Sequence, residues 1–141
     1  MPQAAPGARW SSGPPMSSRR FGHTATVLDS GAVLVAGGAG CPSGAPSCPE
    51  TSAAALSTSQ RLDPSIGSWD PEKQLPVPGG RYFHAAALAA DGPDPEGVVY
   101  LFGGFDGTTA PGGHTSLARV LRYEAGSWCE ATGLGSGQRR A

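Results

Sequence analysis

The sequence predicts an all-β fold in which a four-stranded antiparallel sheet occurs twice, preceded by an orphan outer strand. Three observations carry that expectation. The 141 residues include 22 Gly and 14 Pro, so about a quarter of the chain favours turns and opposes helices. Apolar residues fall in short runs, Val27–Leu28, Ala32–Ala36 and Val98–Phe102, each bounded by Gly, Asp or Pro as strands are. The third observation is a pattern that runs through the chain twice.

Copy one reads RFGHTATVLDSGAVLVAGG from Arg20 to Gly38 and closes with RLDPSIGSW at Trp69. Copy two reads RYFHAAALAADGPDPEGVVYLFGG from Arg81 to Gly104 and closes with LRYEAGSW at Trp128. Trp10, Trp69 and Trp128 are evenly spaced at 59 residues, but by compensation. Arg20 to Gly37 takes 17 residues and Arg81 to Gly103 takes 22, whereas the Gly-to-Trp stretches take 32 and 25. The motifs therefore define the repeat better than the period does. The extra residues fall at strand connections, where a stacked repeat tolerates them.

Each element follows in order. Residues 1–8 read as a flexible segment and Ala8–Ser12 as the orphan strand. Val27–Leu28 and Ala32–Ala36 are joined by Asp-Ser-Gly at Asp29–Gly31, a tight hairpin turn. Gly37-Gly38 marks a strand end where the backbone bends sharply or another stretch of chain approaches closely. Ala53–Ala55 lies among Ser and Thr, which opposes a helix. Ser57–Asp63 and Gly67–Asp70 supply the third and fourth strands. In copy two, Asp91–Gly97 is a longer turn before Val98–Phe102. Gly103-Gly104, Ser116–Glu124 and Gly126–Glu130 then repeat the plan, and 132–141 reads as a flexible tail. A single twisted sheet leaves apolar faces open, so the two sheets must lean on neighbours.

These residues resemble the kelch repeat, the four-stranded blade of a β-propeller. Carrying the resemblance are Arg20, His23, Ala25, Gly37-Gly38, Leu62-Asp63-Pro64 and Gly67-Ser68-Trp69, then Arg81, His84, Ala86, Gly103-Gly104-Phe105-Asp106-Gly107, Tyr123 and Trp128. It covers residues 9–131, with blade one over about 20–70 and blade two over about 81–130. Copy one departs from the family in having Leu62 where a Tyr usually precedes the Trp. In copy two the Tyr123-to-Trp128 spacing is shorter than usual. His23 and His84 are expected to be hydrogen-bonded within or between blades, and Arg20 and Arg81 to serve inter-blade contacts. Trp69 and Trp128 are expected to pack between sheets.

Two blades are fewer than the four to eight that close a propeller. The leading expectation is a fragment of a longer propeller protein. The alternatives are three two-blade chains forming a six-blade ring, or an open array held by a partner.

Chemistry leaves little trace. Net charge is −1, from 10 basic and 11 acidic residues scattered singly, so no basic stripe marks a nucleic-acid partner. No apolar run reaches the ~20 residues of a membrane span, and no secretory leader is seen, which leaves the cytoplasm by default. Cys41 and Cys48 bracket a Pro/Gly loop whose ends can meet, a candidate disulfide in an oxidising compartment. Cys129, odd in number and beside Trp128, is expected to be buried. The cysteines and His23, His84 and His114 lack metal-ligand spacing. Neither a nucleophile elbow nor a phosphate loop is present. Asp63, Asp70, Asp91, Asp94 and Asp106 sit in turns, where a local backbone hydrogen bond is the ordinary role, and Asp94 with Glu96 reads as an exposed turn.

The expected function is a non-catalytic scaffold without cofactor, meeting a protein partner through loops Gly40–Ser57 and Phe105–Ser116. Self-association to complete a propeller is a further expectation. The alternative, drawn from the resemblance, is part of a galactose-oxidase-like or sialic-acid-epimerase-like enzyme with its catalytic residues on absent blades.

Overall fold

A computed structural model describes residues 7, 9–41, 53–76, 80–90 and 92–131. Among these residues there are strands and turns but no helix, and hence none long and apolar enough to cross a membrane. The strands are β1 (Thr24–Val27), β2 (Val33–Ala36), β3 (Ala39–Gly40), β4 (Ala54–Ala55), β5 (Thr58–Asp63), β6 (Ser68–Trp69) and β7 (Lys73–Gln74). They continue as β8 (Ala85–Ala89), β9 (Val98–Phe102), β10 (Phe105–Gly107), β11 (His114–Ser116), β12 (Val120–Glu124) and β13 (Ser127–Glu130).

Two antiparallel sheets dominate, ordered β1-β2-β5-β6 and β8-β9-β12-β13, with β7 also paired to β5. Their registers correspond residue by residue. Ala25 faces Val35 and Val35 faces Gln60 in the first sheet, as Ala86 faces Leu101 and Leu101 faces Leu121 in the second. Leu62 lies opposite Trp69 as Tyr123 lies opposite Trp128. Leu62 is thus the structural counterpart of Tyr123. Among the described residues the sheets stay open rather than closing on themselves.

Turn chemistry fixes these registers. The β1–β2 connection closes with Leu28 N–H donating to the Ala32 carbonyl at 2.8 Å. In the loop after β5, Asp63 Oδ1 accepts from Ser65 N–H at 2.9 Å, the local bond expected of a turn aspartate. The β12–β13 turn uses Ala125 and Gly126, both at positive φ (51° and 77°), as a two-residue hairpin loop requires.

The sheets stack by unlike faces, and the core lies between them. Leu28, Ala32, Leu34 and Ala36 from the first repeat pack with Val99, Leu101, Leu121 and Tyr123 from the second. Polar bonds cross at the margins. Trp128 Nε1–H donates to Ser59 Oγ at 2.8 Å. The Arg61 guanidinium pairs with the Glu96 carboxylate from the other repeat, and Asp29 N–H donates to the Glu96 carbonyl at 3.0 Å. The Glu96 carboxylate is therefore an inter-sheet anchor and does not pair with that of Asp94, although Asp94 Oδ1 accepts from Glu96 N–H.

Several expectations need correction. Residues 9–12 form no strand, and Trp10 is fully exposed. The chain instead touches the outer face of the first sheet at 14–17. There Trp69 Nε1–H donates to the Pro14 carbonyl at 2.8 Å, and Ser17 N–H to Gln60 Oε1 at 2.9 Å. Trp69 is consequently not between sheets; a single extended segment covers its side. Cys129 is free and exposed, because the two-residue strand period that turns Trp128 inward turns its neighbour outward. The third strand of the second sheet begins at Val120, since Ser116 belongs to β11. Ala8, Asp91, and the segments 1–6 and 132–141 lie outside the described residues.

The asymmetry between the two tryptophans predicts unequal costs. Trp128→Ala, which removes an inter-sheet packing residue, should cost about 3 kcal/mol, near the low end for aromatic truncation. Trp69→Ala should cost about 1 kcal/mol. Chemical denaturation of both variants checks the order, and equal losses would contradict the stacking described.

Candidate binding site at the paired loops

The repeated motif residues build a rigid end for the two sheets. Arg20, its side chain fully buried, donates through Nη1 to the carbonyls of Gly37 (2.8 Å) and Thr58 (3.0 Å). Arg81, 2% exposed, donates through Nη1 to the carbonyls of Gly103 (3.0 Å) and Arg119 (2.9 Å). Each arginine therefore ties the first glycine of its own doublet to the start of its own third strand. The expected inter-blade role is corrected to a clamp within one repeat, because the carbonyls freed where the strands end lie within reach of the guanidinium. Arg20 also meets Glu72 at 3.2 Å. Burial lowers the pKa of both guanidinium groups from the usual arginine value, opposed at Arg20 by Glu72.

The glycine doublets meet both conditions expected of them. Gly37, Gly38, Gly103 and Gly104 all have positive φ. A Cβ on Gly38 would lie 2.8 Å from the Phe21 carbonyl oxygen, and one on Gly104 would lie 2.8 Å from that of Tyr82. Gly38 N–H donates across the sheets to the Arg81 carbonyl at 2.8 Å.

The two histidines differ. His84 bridges the sheets, its Nε2 lying 2.9 Å from Thr24 Oγ1. Burial first, and the Arg81 charge second, push its imidazole down to about 4. His23 is also held below the ordinary value by burial and by Arg20, against a hydrogen bond to the Arg20 backbone. Above about pH 6.5 the His84 ring is neutral in folded and unfolded chains alike. As pH falls toward 4, the unfolded chain takes up a proton that the folded chain refuses. Stability should therefore drop through that window, by about 3 kcal/mol from this group, and level off below it. Comparing acid unfolding of the parent with His84→Gln checks this. If the variant keeps the full slope, the buried neutral imidazole is not its source.

Beyond the doublets the two long loops come together. Part of each is strand: β3 pairs with β4, and β10 with β11. A bridge between Ala54 and Thr108 joins the pairs, and Thr109 N–H donates to the Ala53 carbonyl at 2.8 Å. Asp106 Oδ1 accepts from Thr115 N–H at 3.1 Å and fixes the second hairpin. Cys41 is disulfide-bonded; Cys48, the expected partner, lies outside the described residues.

Against this layer lies a cleft of about 290 Å³ lined by Phe21, Tyr82, Phe83, Phe105, Thr109 and His114. Tyr82 is buried, with its hydroxyl donating to the Thr108 carbonyl at 3.0 Å. Burial, and secondarily the Asp106 carboxylate, raise its pKa above the usual phenol value. Ring centroids are 5.3 Å apart for Tyr82–Phe83, 5.8 Å for Tyr82–Phe105 and 5.0 Å for Phe105–His114.

Phe83 breaks the symmetry of the repeat. The third position of Arg-x-x-His is Gly22 in copy one, at φ +64°, and Phe83 in copy two, at φ +52°. Glycine takes that conformation freely, whereas a bulky residue there is strained by about 1 kcal/mol or more. Phe83 N–H donates to the Gly22 carbonyl at 2.8 Å, and its ring lies where a Gly22 side chain would be. Even so, Phe83 is 63% exposed. The sequence reading missed it; comparing its position with Gly22 was the available signal.

Among the described residues no cluster of three His, Cys, Asp or Glu is arranged to hold a metal ion. No protein-family model matches the chain, and no curated protein does.

Proposed function

We propose that this chain is a non-catalytic interaction scaffold made of two kelch-like blades, a partial propeller that meets a protein partner at its paired-loop end. The observation that carries this reading is the aromatic cleft lined by the segments that precede β1 and β8 and by the β10–β11 loop, which is itself locked by strand pairing. Preformed concave sites rich in aromatic side chains, set on rigid elements, are what interaction surfaces use. Motif correspondence supports the kelch assignment: Arg20 and Arg81, the two glycine doublets, and the Leu62–Trp69 and Tyr123–Trp128 pairs occupy matching places in the two sheets.

Selection from a random peptide library against the purified chain tests the proposal. Binders should be recovered whose affinity falls when Phe83 is replaced by Gly. Selected peptides indifferent to that change would contradict it.

A second observation supports association with a further sheet, whether from a longer chain or from another copy. The face of the second sheet corresponding to the one by which the first sheet receives it carries Ala85, Ala87, Tyr100 and Phe102. Ala85, Ala87 and Phe102 are exposed, and the Tyr100 and Phe102 rings stack at 6.2 Å. Light scattering reads this directly. Association should appear as a mass above that of one chain, and a monomer at all concentrations would set aside the second-copy version.

A further inference from the structure

We propose that the aromatic cleft receives a cationic side chain, arginine or lysine, from the protein partner, with Phe83 as the ring that anchors it. The inference rests on the paired-loop reading and adds the chemistry of what enters.

The first support is the cost borne at Phe83. Its counterpart Gly22 adopts nearly the same backbone conformation without strain, so the fold does not require an aromatic there. A mostly exposed ring returns little burial energy. Strain at a position the scaffold does not demand points to contact with something else.

The second support is the character of the lining. Among the described residues, four aromatic rings and one imidazole line the cleft, and no Lys or Arg does. Aromatic faces carry negative potential and attract cations within about 6 Å of the ring centroid. Thr109 supplies the remaining polar group.

Charge is the third support. Asp106 follows the lining residue Phe105 in the chain, and its carboxylate acts on the hydroxyl of a second lining residue, Tyr82. It is held in position by Thr115 N–H. A neighbouring anion favours a cationic occupant and disfavours an acidic one, whereas a purely apolar side chain gains nothing from it. A volume of about 290 Å³ lies at the small end of ligand sites and suits one side chain better than a larger molecule.

Three small probes test the inference: the N-acetyl methylamides of arginine, of its neutral isostere citrulline, and of leucine. Each is titrated into the full chain while NMR shifts of Phe83 and His114 are followed. The arginine amide should bind at the cleft about tenfold more tightly than either neutral amide. Phe83→Gly should lose about tenfold in arginine binding, with melting unchanged or raised because the backbone strain is relieved. Asp106→Asn, which can still accept from Thr115, should lose a few-fold. If leucine or citrulline amide binds the cleft as well as arginine, the cation assignment is overturned and the paired-loop reading stands. Arginine shifts confined to other residues and indifferent to Phe83→Gly would overturn both. Absence of binding by all three probes would likewise overturn the inference.

Discussion

Gly38→Val is expected to abolish cooperative folding of this chain. At φ +98° the position lies outside the left-handed region that a side chain sometimes visits, and a β-branched residue is the least able to adopt it. Space is also absent. An added Cβ would stand 2.8 Å from the Phe21 carbonyl oxygen, 3.0 Å from His23 Cβ and 3.2 Å from Arg20 Cβ. Phe21 cannot retreat cheaply, because Phe21 and Ala39 exchange reciprocal backbone hydrogen bonds of 2.9 and 2.8 Å. Moving Gly38 also strains its bond to the Arg81 carbonyl, which joins the sheets. Strain and overpacking each cost about 1–3 kcal/mol, so together they approach the lower end of ordinary domain stability. Gly31→Ala separates the two terms. Gly31 has a similar φ of +89° with nothing near its would-be Cβ, so that variant should lose about 1 kcal/mol and keep its cooperative melt. Wild-type melting of Gly38→Val would show that the doublet is not the constraint described.

Arg20→Ala is expected to destabilise by about 3 kcal/mol or more, lowering Tm by roughly 10 °C or more. The side chain is completely buried and bonds together the Gly37 carbonyl, the Thr58 carbonyl and hydroxyl, and the Glu72 carboxylate. Truncation strips these acceptors of a donor and opens a void at the strand ends. Glu72 is partly exposed and regains water, which keeps the loss below that of a fully buried broken pair. Arg20→Lys retains the charge but not the fork that serves several acceptors at once, so its loss should be intermediate. Thermal melts of the two variants should therefore rank Ala below Lys. If Lys and Ala lose equally, the forked hydrogen bonds rather than the charge carry the clamp. A melt of Arg20→Ala within a degree or two of the parent would refute the clamp itself.

Local chemistry made the two sheets legible before any coordinates. Short apolar runs bounded by Gly, Asp and Pro located β2 and β9 closely, the repeated plan located β5 and β13, and the doublets marked the strand ends. Placement of side chains relative to neighbouring sheets was not legible, because it depends on which face another element covers. Trp69 and Trp128 share a motif, yet only Trp128 has a sheet against it; Trp69 meets the segment around Pro14 instead. Cys129 was misplaced by proximity to Trp128 when the strand period should have turned it outward. The arginine clamps were missed in direction, since sequence shows a repeated cation at the strand entrances but not which carbonyls strand ends leave free. In the candidate site, the two long connections after the glycine doublets were legible. Their mutual pairing was not, because the Ala54–Thr108 bridge joins residues of different repeats. Phe83 was overlooked because motif matching attends to shared residues, whereas here the informative position is where the copies differ.

Native-state hydrogen exchange tests most directly whether the two sheets depend on each other. Amides in β2 and β9, on opposite sides of the shared core, should open with one free energy equal to that of global unfolding, and both should respond equally to Trp128→Ala. A difference above about 1.4 kcal/mol between the two strands, tenfold in exchange, would show that each sheet folds alone and would contradict the account.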